Sequence, residues 1–257
     1  MKSKTIKTPE WHKNLYDKWF IDDQLNSPYF RKYAQAEADF LVKKLKLKSG
    51  MSLLDVPCGA GRHAVEFAKL GINVTAIDIN TECLKYTRKN CKGLPVTAQK
   101  ADMRDLSQYR EKYDVATNLF TSFGYFPTDE ENEMILKELI STLKPGGKLA
   151  LHLINRDWLM KVFRPVDWKI KGDVLELEAR KYDPKTKYNE SYLIILNQKT
   201  GKAKSYYHRT RLYSKSEIVR LLKRCGLKNV KVYPACSTES FTKQENSHPL
   251  YVGQKLK

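Results

Sequence analysis

Apolar positions along this chain change their period twice, and each change marks a change of architecture. The segment Trp11–Phe20 is aromatic-rich and reads as helical, and Phe30–Leu47 repeats apolar residues near helical spacing until Lys48-Ser49-Gly50 stops it. Short apolar runs then alternate with amphipathic stretches. The runs Leu53–Val56, Val74–Ile77, Val96–Lys100, Tyr113–Asn118 and Lys148–Ile154 predict strands. Between them, residues 62–70, Thr81–Asn90 and Glu130–Leu143 predict helices, with Thr81 as an N-cap, Gly71 as a C-terminal cap and Lys144-Pro145-Gly146-Gly147 as a stop. This alternation predicts a parallel sheet covered by helices on both faces.

Beyond Asn155 the period becomes two. Asp173–Tyr182, Ser191–Asn197 and Ala203–Leu212 predict three consecutive strands separated by the turns Asp183–Thr186 and Asn197–Gly201. Strands joined by short turns form an antiparallel meander, not further βαβ units. Ser214 and Glu217 form a capping box for a helix to Cys225, and Lys228–Tyr233 and Leu250–Gln254 are the last strands. The expected organisation is one domain over 1–257, with an N-terminal helical cap at 1–47 and an inserted antiparallel β lid at 165–212.

Composition adds limits. With 257 residues the chain can bury a large core. Its 47 Lys+Arg against 29 Asp+Glu give +18, and Lys161–Lys231 holds 19 of the bases and 7 of the acids. That excess suits either a polyanion-binding surface or a solvated lysine-rich one, and the lack of a compact basic block favours the second. Five cysteines (58, 83, 91, 225, 236) without a C-x-x-C spacing suit a reducing compartment and give no zinc framework. The basic N-terminus has no apolar stretch behind it and no run is long enough to span a bilayer, so a cytoplasmic protein is expected.

Most chemistry is concentrated at Leu53–Ala64, where an apolar run ends in Asp55, turns through Gly59 and Gly61 and enters a helix. Glycines there let backbone approach a ligand closely, and the helix offers free N–H groups. Gly59-x-Gly61-x-x-Ala64 followed by Asp78 formally satisfies a dinucleotide fingerprint, which would give NAD. Asp55 argues against it, because a carboxylate directly before the turn suits a cationic group better than a pyrophosphate. Ala101-Asp102-Met103, after the third strand, supplies an acid and an apolar side chain suited to an adenine's amino group and face.

Together DVPCGAGRHAVEFAKLG, VTAIDIN, ADMRDL, YDVATNLFTSFGYF, LKPGGKLALHLINRD and RLYSKSEIVRLLKRCGL occur in the order and spacing of the class I S-adenosylmethionine-dependent methyltransferases, which this sequence resembles from about Phe30 to Val252. It is most similar to a subgroup with a P-C-G-x-G-R-H turn and an S-F-G-Y-F loop. The resemblance implies an α/β, doubly wound, Rossmann-like and mostly parallel seven-stranded sheet of order 3-2-1-4-5-7-6, its last strand antiparallel. It implies S-adenosyl-L-methionine as cofactor and no metal. Asp55, Pro57, Gly59 and Gly61 would shape the methionine end of the pocket. Asp78 and Ile79 would meet the ribose side, Asp102 and Met103 the adenine, and Asn118 and Phe120 would lie beside the reacting methyl. Trp19 would close the pocket from the N-terminus with Trp11, Tyr16 and Phe20, and Arg31 would reach the cofactor carboxylate. Pro57 replaces a usual glycine and removes one N–H from the turn.

The acceptor is less legible, because methyl transfer from a sulfonium needs alignment and proton removal but no obligatory motif. Asn118-Leu119-Phe120-Thr121 lacks the prolines that follow strand four in amino-methylating base enzymes. Candidate catalytic groups are Tyr125, His152 and Asn155. Each has a structural reading beside the functional one: a packed lid residue, a satisfied core histidine, and part of a helix start capped by Asp157. The meander's tyrosines (Tyr182, Tyr188, Tyr192, Tyr206, Tyr207) stay open between active-site wall, dimer surface and plain amphipathic sheet; Phe126 lines the acceptor site or packs the lid, Arg156 orients substrate or belongs to a helix start, His63 reads as structural, and the direction that His208 and Arg209 face stays open. The expected function is methyl transfer to a small-molecule amine or hydroxyl. An RNA or protein methyltransferase using the basic insert and a non-catalytic adenosyl-ligand binder are the alternatives, and the protein is expected to be a monomer or homodimer without membrane association.

Overall fold

A computed structural model describes residues 16–22, 28–235 and 247–256. The positions of Trp11 and Cys236 lie outside the described residues. Lys18–Phe20 makes one helical turn capped by Asp17. Helix α1 (Pro28–Leu45) leads into β1 (Ser52–Asp55), α2 (Arg62–Lys69), β2 (Asn73–Asp78), α3 (Thr81–Asn90), β3 (Val96–Lys100), β4 (Tyr113–Asn118), α4 (Asp129–Ser141) and β5 (Leu143–His152). A short helix α5 (Arg156–Lys161) precedes four strands, β6 (Val166–Lys171), β7 (Val174–Tyr182), β8 (Tyr188–Asn197) and β9 (Ala203–Arg211). Helix α6 (Lys215–Arg224), β10 (Leu227–Tyr233) and β11 (Leu250–Lys255) complete the fold.

Seven strands form one sheet in the order β10-β11-β5-β4-β1-β2-β3. Counted without the four inserted strands, this is the expected order 3-2-1-4-5-7-6. Strand β11 runs antiparallel to both β5 and β10, and the other pairings are parallel. The inner strands are buried on both faces because helices cover both, while the edge strands β3 and β10 stay largely exposed. One apolar layer gathers Leu136, Leu139, Leu151 and Leu222 beneath α4 and α6, and the other gathers Leu41, Leu45, Phe67 and Val74 beneath α1 and α2.

Local chemistry explains most boundaries. Ser214 accepts from Glu217 N while the Glu217 side chain returns to Ser214 N, the reciprocal box expected from the sequence. Helix α3 is capped by Asn80, not Thr81: the Asn80 side chain accepts from Glu82 N and Cys83 N, which moves the cap one residue earlier. Asn155, not Asp157, caps α5. Lys144–Gly147 does not stand as a turn between elements. It lies within β5, where the pairing to β4 shifts register between Tyr113 and Val115.

The insert holds four antiparallel strands, one more than the turn signals predict, in the order β6-β7-β8-β9. It is fastened to the core at its β8–β9 end. Arg211, buried, pairs with Asp129 at 3.0 Å and Glu217 at 3.4 Å, and its N–H donates to Gly124 O at 2.7 Å. Gly124 has φ +97°, and a Cβ there would sit 2.6 Å from Arg211 O. Gly124→Ala is therefore expected to cost about 2 kcal/mol and lower the melting temperature by several degrees; an unchanged thermal melt would show that this seam yields.

Candidate active site

The C-terminal ends of β1, β2 and β4 meet at a slot of about 100 Å³. Asp55, Pro57, Gly59, Asp78, Ile79, Met103 and Phe120 line it, all expected from the sequence. Tyr16, Arg62, His63 and Tyr125 complete its rim. The slot continues past Tyr16 and Ile79 into an open depression of about 570 Å³ that reaches Asn80, Glu82 and Lys100. Backbone geometry makes the slot. Gly59 (φ 55°) and Gly61 (φ 78°) both take the left-handed conformation, and a Cβ on Gly61 would lie 2.9 Å from Thr87 Cγ2. The Val56–Pro57 peptide is cis.

Two carboxylates are buried here. Asp78 accepts from Gly59 N at 2.9 Å and from Asn80 N at 2.8 Å, which ties the first turn to the second strand. Asp55 accepts from Thr117 Oγ1 at 2.9 Å. Burial pushes Asp55 up to about 7, opposed by Thr117 and Arg62, and pushes Asp78 up to about 6, opposed by backbone N–H groups. Such carboxyls are poised to regain full charge when a cation arrives beside them. That chemistry fits a sulfonium and an ammonium, and it does not fit a pyrophosphate.

Other expected residues stand back from the slot. Gly61 N-caps α2 and packs on Thr87. Asp102 receives Arg104, whose backbone N and guanidinium both bind its carboxylate. Asn118 is wholly buried and donates to Val56 O, while its Oδ1 has no hydrogen-bond partner among the described residues. Trp19 packs with Tyr206 under the lid, and Arg31 is exposed on α1. His152 is buried, its Nε2 has no hydrogen-bond partner among the described residues, and burial holds it down at about 4, so it stays neutral. Asn155 is spent on capping α5 and on its own N–H to Ser247 O.

On the far side of Phe120 lies a second cavity of about 600 Å³, between the β5 end of the sheet and the lid. Phe120 lines both cavities. Phe120 and Thr121 have φ of 58° and 57°, a costly conformation for non-glycine residues. It is held because Thr121 N donates to His152 O and Ile154 N donates to Thr121 Oγ1, both at 2.9 Å. Arg62 stacks on the Phe120 ring at 4.7 Å. Strain concentrated where two cavities meet marks a working position.

Helix α5 gives this cavity an apolar floor of Trp158, Leu159 and Val162, and the lid gives it a polar roof. Glu178, Asn189 and His208 come from three adjacent strands and face inward. Glu178 is bound by Ser191 Oγ and Arg180 and held below the usual carboxylate range despite its burial. Burial lowers His208, leaving a neutral imidazole beside that carboxylate. Asn189 Oδ1 is buried without a hydrogen-bond partner among the described residues. Of these roof residues only His208 was singled out in the sequence. Glu178 and Asn189 come together only through strand register, which single-strand alternation does not reveal.

Comparison with known proteins decides the class. A family model described as a methyltransferase domain matches residues 53–147, the stretch that builds the slot. Residues 53–147 thus carry a methyltransferase domain, and the chain has the fold of the class I methyltransferases. The cofactor of this class is S-adenosylmethionine. The methyltransferase fold extends over nearly the whole chain: the CcbJ methyltransferase of Streptomyces caelestis superposes with TM-score 0.80 over 97% of this chain and 100% of its own, at 18% identity. A S-adenosylmethionine-bound amino pentose methyltransferase of Micromonospora echinaspora superposes with TM-score 0.67, at 20% identity, over 95% and 99%. In sequence, this chain is 27% identical over 66% of each chain to a Streptomyces venezuelae N,N-dimethyltransferase of dTDP-3-amino-3,4,6-trideoxy-alpha-D-glucopyranose. It is 28% identical to a glycine/sarcosine N-methyltransferase of Halorhodospira halochloris, over 60% of this chain and 56% of that one. The match thus spans under two thirds of the length of these curated relatives. No helix among the described residues is long and apolar enough to cross a membrane.

Proposed function

We propose that this chain transfers the methyl group of S-adenosylmethionine to the amine of a small hydroxylated ring held in the cavity under the lid. The observation that carries the reading is the shared wall: among the described residues Phe120 lines both a slot suited to a cationic adenosyl ligand and a cavity large enough for a ring. Bound S-adenosylmethionine supplies a methyl group already activated on a sulfonium. Asp55 and Asp78 bind its positive and hydroxyl groups, and Ile79 and Met103 cover apolar surface in the slot. Trp158 and Leu159 offer the acceptor a flat apolar floor, and Asn189 Oδ1 needs a donor that a hydroxyl or amine provides. His208 takes the proton lost by the nucleophile, and Glu178 stabilises the imidazolium that results. Relatives acting on amino sugars support an amine on such a ring.

The test combines calorimetric titration with S-adenosylmethionine, S-adenosylhomocysteine and NAD with transfer of labelled methyl to a panel of amino sugars, amino acids and phenols. Adenosyl binding with label on an amino sugar is the expected result. Binding of NAD alone, or adenosyl binding without transfer to any member, would overturn it. His208→Ala is expected to lower transfer by at least about 100-fold while S-adenosylhomocysteine affinity stays unchanged.

A further inference from the structure

The lid sheet turns an apolar side to the solvent. Residues paired across neighbouring strands share a face. Register therefore sets Trp168, Leu177 and Ile194 in one row and Val166, Ala179 and Tyr192 in the next, with Ile170 beside them. Val166, Trp168, Ile170, Leu177, Tyr192 and Ile194 are each between 39% and 71% exposed. The opposite face of the same strands is turned toward the protein and carries Leu193, Ile195 and Tyr206, packed with Trp19 and Phe20, beside Glu176, Glu178, Arg180, Asn189 and His208. A sheet face left in water ordinarily carries polar side chains. At these exposures the six side chains leave roughly 600 Å² of contiguous apolar surface, the upper end of what a monomer shows.

We propose that this face is the isologous interface with a second copy of the chain, the two lids packed sheet on sheet. Area favours it: a stable interface needs about 800 Å² per partner, an apolar core with a polar rim. The six residues supply the core, and Lys181, Glu190 and Arg209, on the same face by register, supply a rim of both signs. Charge favours it too. Copies carrying +18 each repel one another, and the two apolar rows contain no charged residue, so they bring the copies together where that repulsion is least. A nucleic acid would require cations in those rows. A patch of this kind meets its own copy apolar on apolar about a two-fold axis, and the sheets can approach to about 10 Å. Since the other face roofs the acceptor cavity, the second copy would hold that roof in place.

Size-exclusion chromatography with light scattering and sedimentation equilibrium on the full chain test this without any cofactor. The wild type is expected at the two-chain mass. Ile194→Lys and, separately, Trp168→Glu are expected at the one-chain mass, weakened at least about 100-fold in self-association, with unchanged circular dichroism because both sites lie on the surface. A wild type at the one-chain mass overturns the proposal, as does a two-chain mass that neither variant alters. Flotation of one-chain protein with phosphatidylcholine–phosphatidylglycerol vesicles, lost in Trp168→Glu, would reassign the face to lipid and overturn it as well.

Discussion

Replacing Asp55 by Asn is expected to make the ligand-free protein more stable and nearly blind to S-adenosylmethionine. The buried carboxyl sits at about 7 in the folded chain against roughly 3.9 in an unfolded one. An acid whose folded value is raised binds more protons folded than unfolded, so stability falls as pH climbs between those two values and is lowest above the folded one. At about 1.4 kcal/mol per unit, the ionised Asp55 costs the free protein on the order of 4 kcal/mol at pH 8. Asn keeps an oxygen for Thr117 Oγ1 and removes the charge. Asp55→Asn should therefore melt several degrees higher at pH 8, with the gap closing toward pH 5. Calorimetry should show adenosylmethionine affinity down by at least about 100-fold, about 2.7 kcal/mol. In the wild type, affinity should rise with pH up to about 7, where the carboxyl no longer gives up a proton on binding. A variant that melts lower at pH 8 and binds normally would show that Asp55 serves the fold alone.

Glu37→Ala should produce the opposite pattern, the largest loss of stability of any single change considered. Glu37 is 1% exposed on α1, accepts from His63 Nε2 at 2.7 Å and forms an ion pair with Arg62 at 3.3 Å. Burial and Arg62 lower His63, so the imidazole is a neutral donor and the carboxylate's charge is balanced by Arg62. Despite its own burial, Glu37 is held well below the usual carboxylate range by these two partners. Removing it leaves a guanidinium buried without its counter-charge, at a cost of about 3–5 kcal/mol and a melting point lower by roughly 10 °C. The wild type should lose the same contribution as pH falls below about 4.5, the unfolded value, because this pKa is depressed and not raised. Arg62 and His63 also line the slot, so adenosylmethionine affinity should fall with stability. Thermal melts with and without S-adenosylhomocysteine would measure both; an Ala variant melting within a degree of wild type would refute the assignment.

These two sites differ sharply in how they announce themselves in the sequence. Asp55 stands at the end of an apolar run before a glycine turn, and its place follows from strand, turn and helix in that order. Glu37 is one acid in the middle of an amphipathic helix, 26 residues before His63, and only the packing of α1 on α2 brings them together. The same division runs through the fold. Strands whose residues are buried on both faces carry a continuous apolar run, so β1, β2, β4 and β5 were legible; β3, an exposed edge strand, was placed by the alternation around it, and the sheet order came with the family resemblance. Strand β6 was not, because Val166-Asp-Trp-Lys-Ile-Lys is an exposed edge strand without a turn residue before β7 other than Gly172-Asp173. Asp102 and Asn118 show the other limit. Sequence places them at strand ends, but Arg104 takes up the Asp102 carboxylate and Val56 O the Asn118 amide N–H in this structure. The acceptor's surroundings were least legible, since Glu178, Asn189 and His208 are assembled by register across three strands.

Phe120, held in its costly conformation between two cavities, has a consequence for how such a protein changes. Most of what lies on one side of its ring comes from the ends of the parallel strands and the turns and helices that follow them, with Tyr16 added from the N-terminal segment, and most of what lies on the other comes from α5 and the inserted strands. Substitutions in the roof or floor can therefore alter which molecule is accepted while the cofactor seat is left untouched, so new acceptors are reachable by single steps through active intermediates. Position 120 is the exception: any change there is read by both chambers at once, and it should tolerate the least variation of the whole loop.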